Sequence, residues 1–584
     1  MKRVCSLILA LLMLICPLTL TACSPVDNDV IYLNVYNWED YIAQDDEADL
    51  IKEFEDYYFE TYGKKVKVNY STFGTNENMY NELQLSKVKT DSGEYDYGYD
   101  LVCPSDYMIQ KMIYEDMVEP LDYTIAEGKE GSLYNYEKYV SRFIYNLFEN
   151  QWDIDGKEIN WNEYSIPYMF GTMGFVYNPD RLAESGNYVE GDESHWDFPW
   201  QTYSKNLGTI KDSIRDTYAL AMGKVYGNEL KSLRASYEGG EIDVNEYQRR
   251  LVETFNRVDE ETVEKVTNEL IDLKYNVYGF EVDSGKRDMA SSKIAINFAW
   301  SGDAVYTMDI ADEAGTTLYY AVPEEGSNIW FDGWVMPKGA NKTVAQEFMN
   351  FLACPENAIK NMNFIGYTPT VAGEEMFANC VDWYGTYVLL ECDEETEDAV
   401  MLNGKYYIDA YFGDLIDENG DIIEPNPTFT RNADGTYNIL YPEYNEKGKI
   451  IKSYSEENVE MMLYDVSIVL NTIEDYENGN VYAVWTESEN ANRQLFTQYP
   501  SEDVVNRCAI MRHLSDSDMK MLNDMWDEVK VSAIPTWLMW LIIGVILAII
   551  IIVPLFTYLN KKGVRFNLKI KNKNLTLVKR EIIK

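Results

Sequence analysis

The chain has 584 residues, 98 of them acidic and 50 basic, for a net charge of −48. That balance argues against a nucleic-acid partner, because neutralising phosphates takes a surplus of Lys and Arg. Two histidines leave little for zinc or histidine-based catalysis, while 46% hydrophobic content is enough to fill a core and 47 tyrosines predict aromatic surfaces.

Lys2 and Arg3 precede an uncharged apolar run from Val4 to Ala22, the n-region and h-region of a secretory signal over residues 1–22. The run closes on Leu20-Thr21-Ala22-Cys23, which resembles a bacterial lipobox. That resemblance implies cleavage before Cys23, lipidation of its thiol and membrane lipid as a partner. An ordinary signal peptide with an incidental cysteine is the alternative.

Past this tether, Ile31 to Asn37 alternates as a strand. Leu50, Ile51, Phe54, Tyr57 and Tyr58 recur at helical spacing, with Gly63 as the stop. Val66, Val68 and Tyr70 form a second strand, Asn76 to Lys87 a second helix, and Tyr99 to Cys103 a third strand ending at Pro104-Ser105. Strand–helix–strand–helix–strand predicts an α/β fold with a parallel sheet covered on both faces. Such sheets bind ligands beyond the carboxyl ends of their strands, and Trp38 and Ser105 stand at two of these ends.

Residues from about 225 to 273 read as charged helix. Between Met401 and Lys452, the dipeptides Asn403-Gly404, Asn419-Gly420, Asp434-Gly435 and Lys447-Gly448 punctuate short alternating segments, predicting a β-rich insertion of hairpins within residues of about 375–490. Asp417 to Asp421 reads as a solvated turn rather than a calcium loop, since Ile422 stands where an EF-hand needs glycine. Outside the export segment, Cys103, Cys354, Cys380, Cys392 and Cys508 show no metal-like spacing. They read as buried free thiols, with a Cys380–Cys392 disulfide left open, and no metal or cofactor is expected.

Trp537 to Leu559 is 23 uncharged residues long, enough to span a hydrocarbon core of ~30 Å. Nine Lys/Arg follow within residues 560–584. The positive-inside rule makes that tail cytoplasmic and everything before Trp537 external. The expectation is a C-terminal transmembrane helix over residues 537–559.

No nucleophile elbow, P-loop, dinucleotide loop or zinc-protease motif is present. What recurs is an aromatic beside a carboxylate: Tyr36-Asn37-Trp38-Glu39-Asp40-Tyr41 after the first strand, Ala299-Trp300-Ser301-Gly302 after another, and Trp330-Phe331-Asp332-Gly333. Taken singly, each tryptophan reads as core. Together they suit an organic cation, since aromatic faces attract ammonium groups by ~0.5–2 kcal/mol and carboxylates add charge-assisted hydrogen bonds worth ~1.5–3 kcal/mol.

The order Tyr-Asn-Trp-x-x-Tyr (36–41), Tyr-Asp-Leu-Val-x-Pro-Ser-x-Tyr (99–107), Tyr-Ser-Ile-Pro-Tyr (164–168), Trp-x-Gly (300–302), Trp-x-Asp (330–332) and Ile-Gly-Tyr (365–367) resembles the spermidine/putrescine-binding proteins of ABC importers. The likeness covers most of residues 31–370 and resumes over 499–529. It implies a non-enzymatic, two-lobed type II periplasmic-binding-protein fold that closes on a polyamine and hands it to an ABC permease and ATPase complex. One lobe would comprise residues 30–172 with 333–371, the other 173–332 with 372–535.

Carried over residue by residue, the resemblance places Trp38, Tyr41, Ser105 and Tyr107 on the first lobe. Trp300, Trp330, Asp332 and Tyr367 complete the box, with Asp332 as the ammonium anchor. Asp216 matches the second of two acids that the family uses at a helix start, whereas Ser213 stands where the first would be. Glu39 replaces a neutral residue beside Trp38, so diamine against triamine preference stays open. A surface glycan hydrolase and a sensor or adhesin are the competing classes: paired carboxylates with aromatic platforms also suit sugars, but no acid pair can be singled out.

Overall fold

The computed structural model describes residues 30–531, apart from stretches at 46–47, 150, 153–155, 386, 393–399, 403–404, 411–414, 417–421, 425–427 and 445–449, together with residues 566–571 and 574–579. Strand β1 (Val30–Trp38) pairs in parallel with β2 (Lys65–Phe73) and with the short β3 (Leu101–Val102). Helices α1 (Leu50–Tyr62) and α2 (Asn76–Ser86) make the crossovers. Local chemistry sets their ends. The Asp49 carboxylate accepts from the Lys52 amide and the Thr75 hydroxyl from the Asn78 amide. Gly63 takes the left-handed conformation (φ 64°) that stops α1, its amide donating to the Phe59 carbonyl.

Side chains pack on both faces of this sheet, although edge strand β2 alternates buried Val66 and Val68 with exposed Lys65 and Lys67. Phe54, Tyr58, Trp334 and Phe348 belong to the main core; Tyr36, Phe73, Met79, Leu83 and Met112 form a second cluster together with Met108 and Ile109 of α3 (Asp106–Tyr114).

Two long strands join this sheet to the next. β4 (Ser165–Tyr177) is buried at every position but its last. A second sheet edge is built from β5 (Gly208–Lys211), followed by helices α4 (Ile214–Glu238), α5 (Val244–Phe255) and α6 (Glu260–Asn276), then β6 (Gly279–Glu281) and β7 (Ile296–Trp300), which runs into α7 (Ser301–Glu313). The other long strand, β8 (Ser327–Pro337), is buried throughout. The strand order is β6-β5-β7-β4-β8-β3-β1-β2. The parallel expectation holds for β1, β2 and β3 and again for β5, β6 and β7, while β4 and β8 cross between the two groups antiparallel to each other.

The β4–β8 ladder slips once. Asp332 faces Met169, but Gly333 faces Pro167, so Tyr168 is the extra residue of a β-bulge. Pro167, which has no amide hydrogen to give a ladder, is tolerated beside such a bulge. Gly333 is required opposite it, because a Cβ there would lie 2.6 Å from Ser165 Oγ.

The β-rich expectation for the insertion is met by hairpins, including Val400–Leu402 with Lys405–Ala410 and the three-stranded sheet of Thr428–Arg431, Tyr437–Tyr444 and Ile450–Val459. Gly435 makes its turn at φ 92°; the other three turn dipeptides and the Asp417–Asp421 loop lie in residues outside those described. Cys380 is a buried free thiol, as are Cys103 and Cys508.

One part of the expected fold class is corrected. Among the described residues no helix is long and apolar enough to cross a membrane. Residues 537–559, on which a transmembrane helix was expected, lie outside the described residues, as do the basic tail's ends and the export segment with Cys23. Among the described residues the two-lobed fold therefore contains no spanning helix.

Candidate functional site

The expected site residues sit where strands end and chains cross. Trp38 closes β1, and Asp40 then adopts a left-handed conformation (φ 50°), which aspartate tolerates better than most residues. That turn sends Tyr41 back into the protein, where it is 6% exposed. Ser105 immediately precedes α3, Trp300 closes β7, and Trp330 and Asp332 lie on β8 just before the bulge. Gly366 (φ 77°) ends the helix Pro355–Ile365 and presents Tyr367. Gly302 makes room for that ring, since a Cβ there would come within 2.4 Å of it.

Asp332 is the centre of the arrangement. Its Oδ1 accepts from Ser105 Oγ at 2.7 Å and its Oδ2 from Tyr41 Oη at 2.8 Å. Burial pushes its pKa up to about 6, against the pull of the two hydroxyls and with a further upward push from Asp216. Among the described residues no lysine, arginine or histidine forms an ion pair with it. The Tyr367 ring stands edge-on to Tyr41 (centroids 5.3 Å apart) and to Trp330 (5.6 Å). The buried indole Nε1 atoms of Trp38 and Trp330 have no hydrogen-bond partner.

A second arm runs through Tyr107. Its hydroxyl donates to Glu77 Oε1 at 3.1 Å and accepts from Asn76 Nδ2 at 3.0 Å, and the same amide reaches Ser105 Oγ. Asp216, in the first turn of α4, is buried; desolvation raises its pKa against Ser213, Lys211 and Arg215. Glu39 is different. It is solvent-exposed, and no hydrogen bond or ion pair ties it to this network among the described residues.

Several participants were not anticipated from sequence. Asp303, in the first turn of α7, accepts from Tyr367 Oη at 2.8 Å and from Lys211 Nζ at 2.8 Å, with Lys286 Nζ at 3.3 Å. Burial works to raise its pKa, yet Lys211 and Lys286 outweigh that and hold it down at about 2. Arg215 is 6% exposed and lies 4.8 Å from the Tyr107 ring centroid. Asp106 is 1% exposed; Oδ1 accepts the Tyr107 amide, while Oδ2 has no partner. Tyr168, the bulged residue, donates to the Tyr41 carbonyl at 2.8 Å and accepts from Asn361. One signal for Lys211 was available: it ends a buried strand two residues before the Ser213 cap of α4, at the carboxyl edge where such sheets take ligands.

This arrangement of buried carboxylates among tyrosine and tryptophan rings can hold a cation by charge and by ring quadrupole. The spermidine/putrescine-binding periplasmic protein of Salmonella typhimurium is 27% identical over 363 residues, covering 62% of this chain and 83% of its own. The putrescine-binding periplasmic protein PotF of Escherichia coli (strain K12) is 26% identical over 361 residues, covering 59% and 80%. Among solved structures, the spermidine/putrescine ABC transporter substrate-binding protein PotD from Streptococcus pneumoniae shares 30% identity at a TM-score of 0.40, covering 58% of this chain and 83% of that one. The family described as bacterial extracellular solute-binding protein matches residues 49–376, more than half of the chain, taking in the first crossovers, both crossing strands and every expected ligand-binding residue except Trp38, Glu39 and Tyr41. With two strand groups joined by the paired β4 and β8, and a buried carboxylate at the bulge where they cross, the chain belongs to the bacterial extracellular solute-binding proteins.

Proposed function

We propose that the protein binds a polyamine at Asp332 and delivers it to an ABC permease. The observation that carries this reading is Asp332 itself: a nearly buried carboxylate with hydroxyl donors but, among the described residues, no cation of its own, set among Tyr41, Trp330 and Tyr367. Leaving such a charge without a counterion is costly, and an alkylammonium relieves that cost on binding. Tyr41, Ser105, Tyr107, Trp38 and Asp216 act around it, and closure of the two lobes would exclude water from the ligand. Acylation of Cys23 would hold the receptor on the outer face of the membrane.

Asp332→Asn tests the reading. Isothermal calorimetry with putrescine and spermidine is expected to show affinity reduced at least ~30-fold, about 2 kcal/mol, with the circular dichroism spectrum unchanged. Equal affinity in the variant would sink the assignment of Asp332, and absence of binding by either amine to the unaltered protein would sink the polyamine reading.

A further inference from the structure

One face of Trp300, a ring expected to receive a ligand ammonium, is already covered. Lys211 is 2% exposed and places Nζ 4.3 Å from the Trp300 ring centroid. The same ammonium donates to Asp303 Oδ2 at 2.8 Å and to the Val282 carbonyl at 2.9 Å, with Glu281 Oε1 3.6 Å away. A primary ammonium over an indole, held by a carboxylate and a carbonyl, is the set of contacts that the end of an alkylamine would make.

Lys211 could serve only to pin the sheet edge, as buried ion pairs often do. Its placement argues for more. β5 and β7 pair in parallel, so Lys211 and Trp300 both stand at strand carboxyl ends, the edge that faces ligand in sheets of this kind. Asp303 is also linked to the box directly, through the Tyr367 hydroxyl. Arg215 covers the Tyr107 ring in a similar way on the adjoining arm. What remains for an incoming charge is Asp332 and the buried Asp216, together with the unpartnered Oδ2 of Asp106.

The geometry points to Lys211 as a resident ammonium that fills the cation subsite over Trp300, restricting the cleft to short amines, a diamine rather than a triamine. This specificity role rests on the polyamine reading above. A triamine entering the cleft would have to place its additional ammonium beside Lys211, where like charges repel and the aromatic face is taken.

Calorimetry on the full-length protein tests it with two ligands, putrescine and spermidine. The unaltered protein is expected to bind putrescine at least ~10-fold more tightly, and Lys211→Met is expected to shift the affinity ratio toward spermidine by at least ~10-fold. Should Lys211→Met fail to fold, the double variant Lys211→Met/Asp303→Asn removes the buried charge pair together and is expected to shift the ratio in the same direction. Lys211→Arg keeps the charge and is expected to keep the preference. Spermidine bound as tightly as putrescine by the unaltered protein, or a ratio unmoved in the folded Met variants, overturns the role of Lys211 while leaving polyamine binding intact. No binding of either amine overturns both.

Discussion

Asp332 and Asp303 are both almost wholly buried, and they stand at the two ends of one run of tyrosine contacts. Tyr41 donates to Asp332, Tyr367 donates to Asp303, and the two rings meet edge to face at 5.3 Å. Their acidities nevertheless diverge, Asp332 pushed up to about 6 and Asp303 held at about 2. The difference is the cation. Lys211 and Lys286 face Asp303, whereas Asp332 has only hydroxyls. Burial alone therefore does not mark a ligand anchor; burial without an internal counterion does.

The largest expected effect comes from breaking the satisfied end. Asp303→Asn leaves Lys211 buried without its carboxylate, and urea unfolding of the ligand-free protein should show a loss of about 3–5 kcal/mol. The same substitution at Asp332 should do the opposite. In the folded protein this group titrates near 6 rather than 3.8, so the folded state holds an extra proton between those values. The resulting stability is present below pH 3.8 and is lost as pH rises through 6. Asp332→Asn, always neutral, should accordingly unfold later than the unaltered protein at pH 8, by up to roughly 3 kcal/mol, even as it loses ligand. If both substitutions destabilise alike, the contrast between the two carboxylates is gone.

Smaller effects sharpen the contrast. Binding a cation at Asp332 must expel its proton below pH 6, so polyamine affinity should be flat above pH 7 and fall by about tenfold per unit below 6. Titrations at pH 7.5 and pH 5 read this directly; a flat profile would assign the anchor to an already ionised group. Smallest of all is Glu39→Gln, expected to change affinity by less than about 0.5 kcal/mol, as suits an exposed carboxylate.

The elements around β1 to β3 were legible because their signals are local: alternation in Val66–Tyr70, helical spacing in Leu50–Tyr58, a glycine stop at position 63. Trp38, Ser105 and Asp332 were legible as a set of spaced motifs. Lys211, Arg215 and Asp106 were not, because what defines them is where distant segments meet. Lys211 and Asp303 are 92 residues apart and look like ordinary surface charges until the sheet edge brings them together. Glu39, next to Trp38 in sequence, is exposed beside the turn that Asp40 makes. The spanning helix was inferred from an apolar run followed by a basic tail, and none of the described helices has that character.

The bulge at Tyr168 carries a practical consequence for recombining relatives of this chain. Side chains along a strand obey an in–out parity, and one extra residue reverses it. Residues Ser165–Pro167 and Met169–Tyr177 therefore count from different origins. A chimera joined inside residues 165–169 and aligned without that offset would turn an entire half-strand to the wrong side, displacing the Tyr168 hydroxyl from the Tyr41 carbonyl that it supports. Junctions placed outside these five positions keep the offset, and with it the distance between hydroxyl and carboxylate at Asp332.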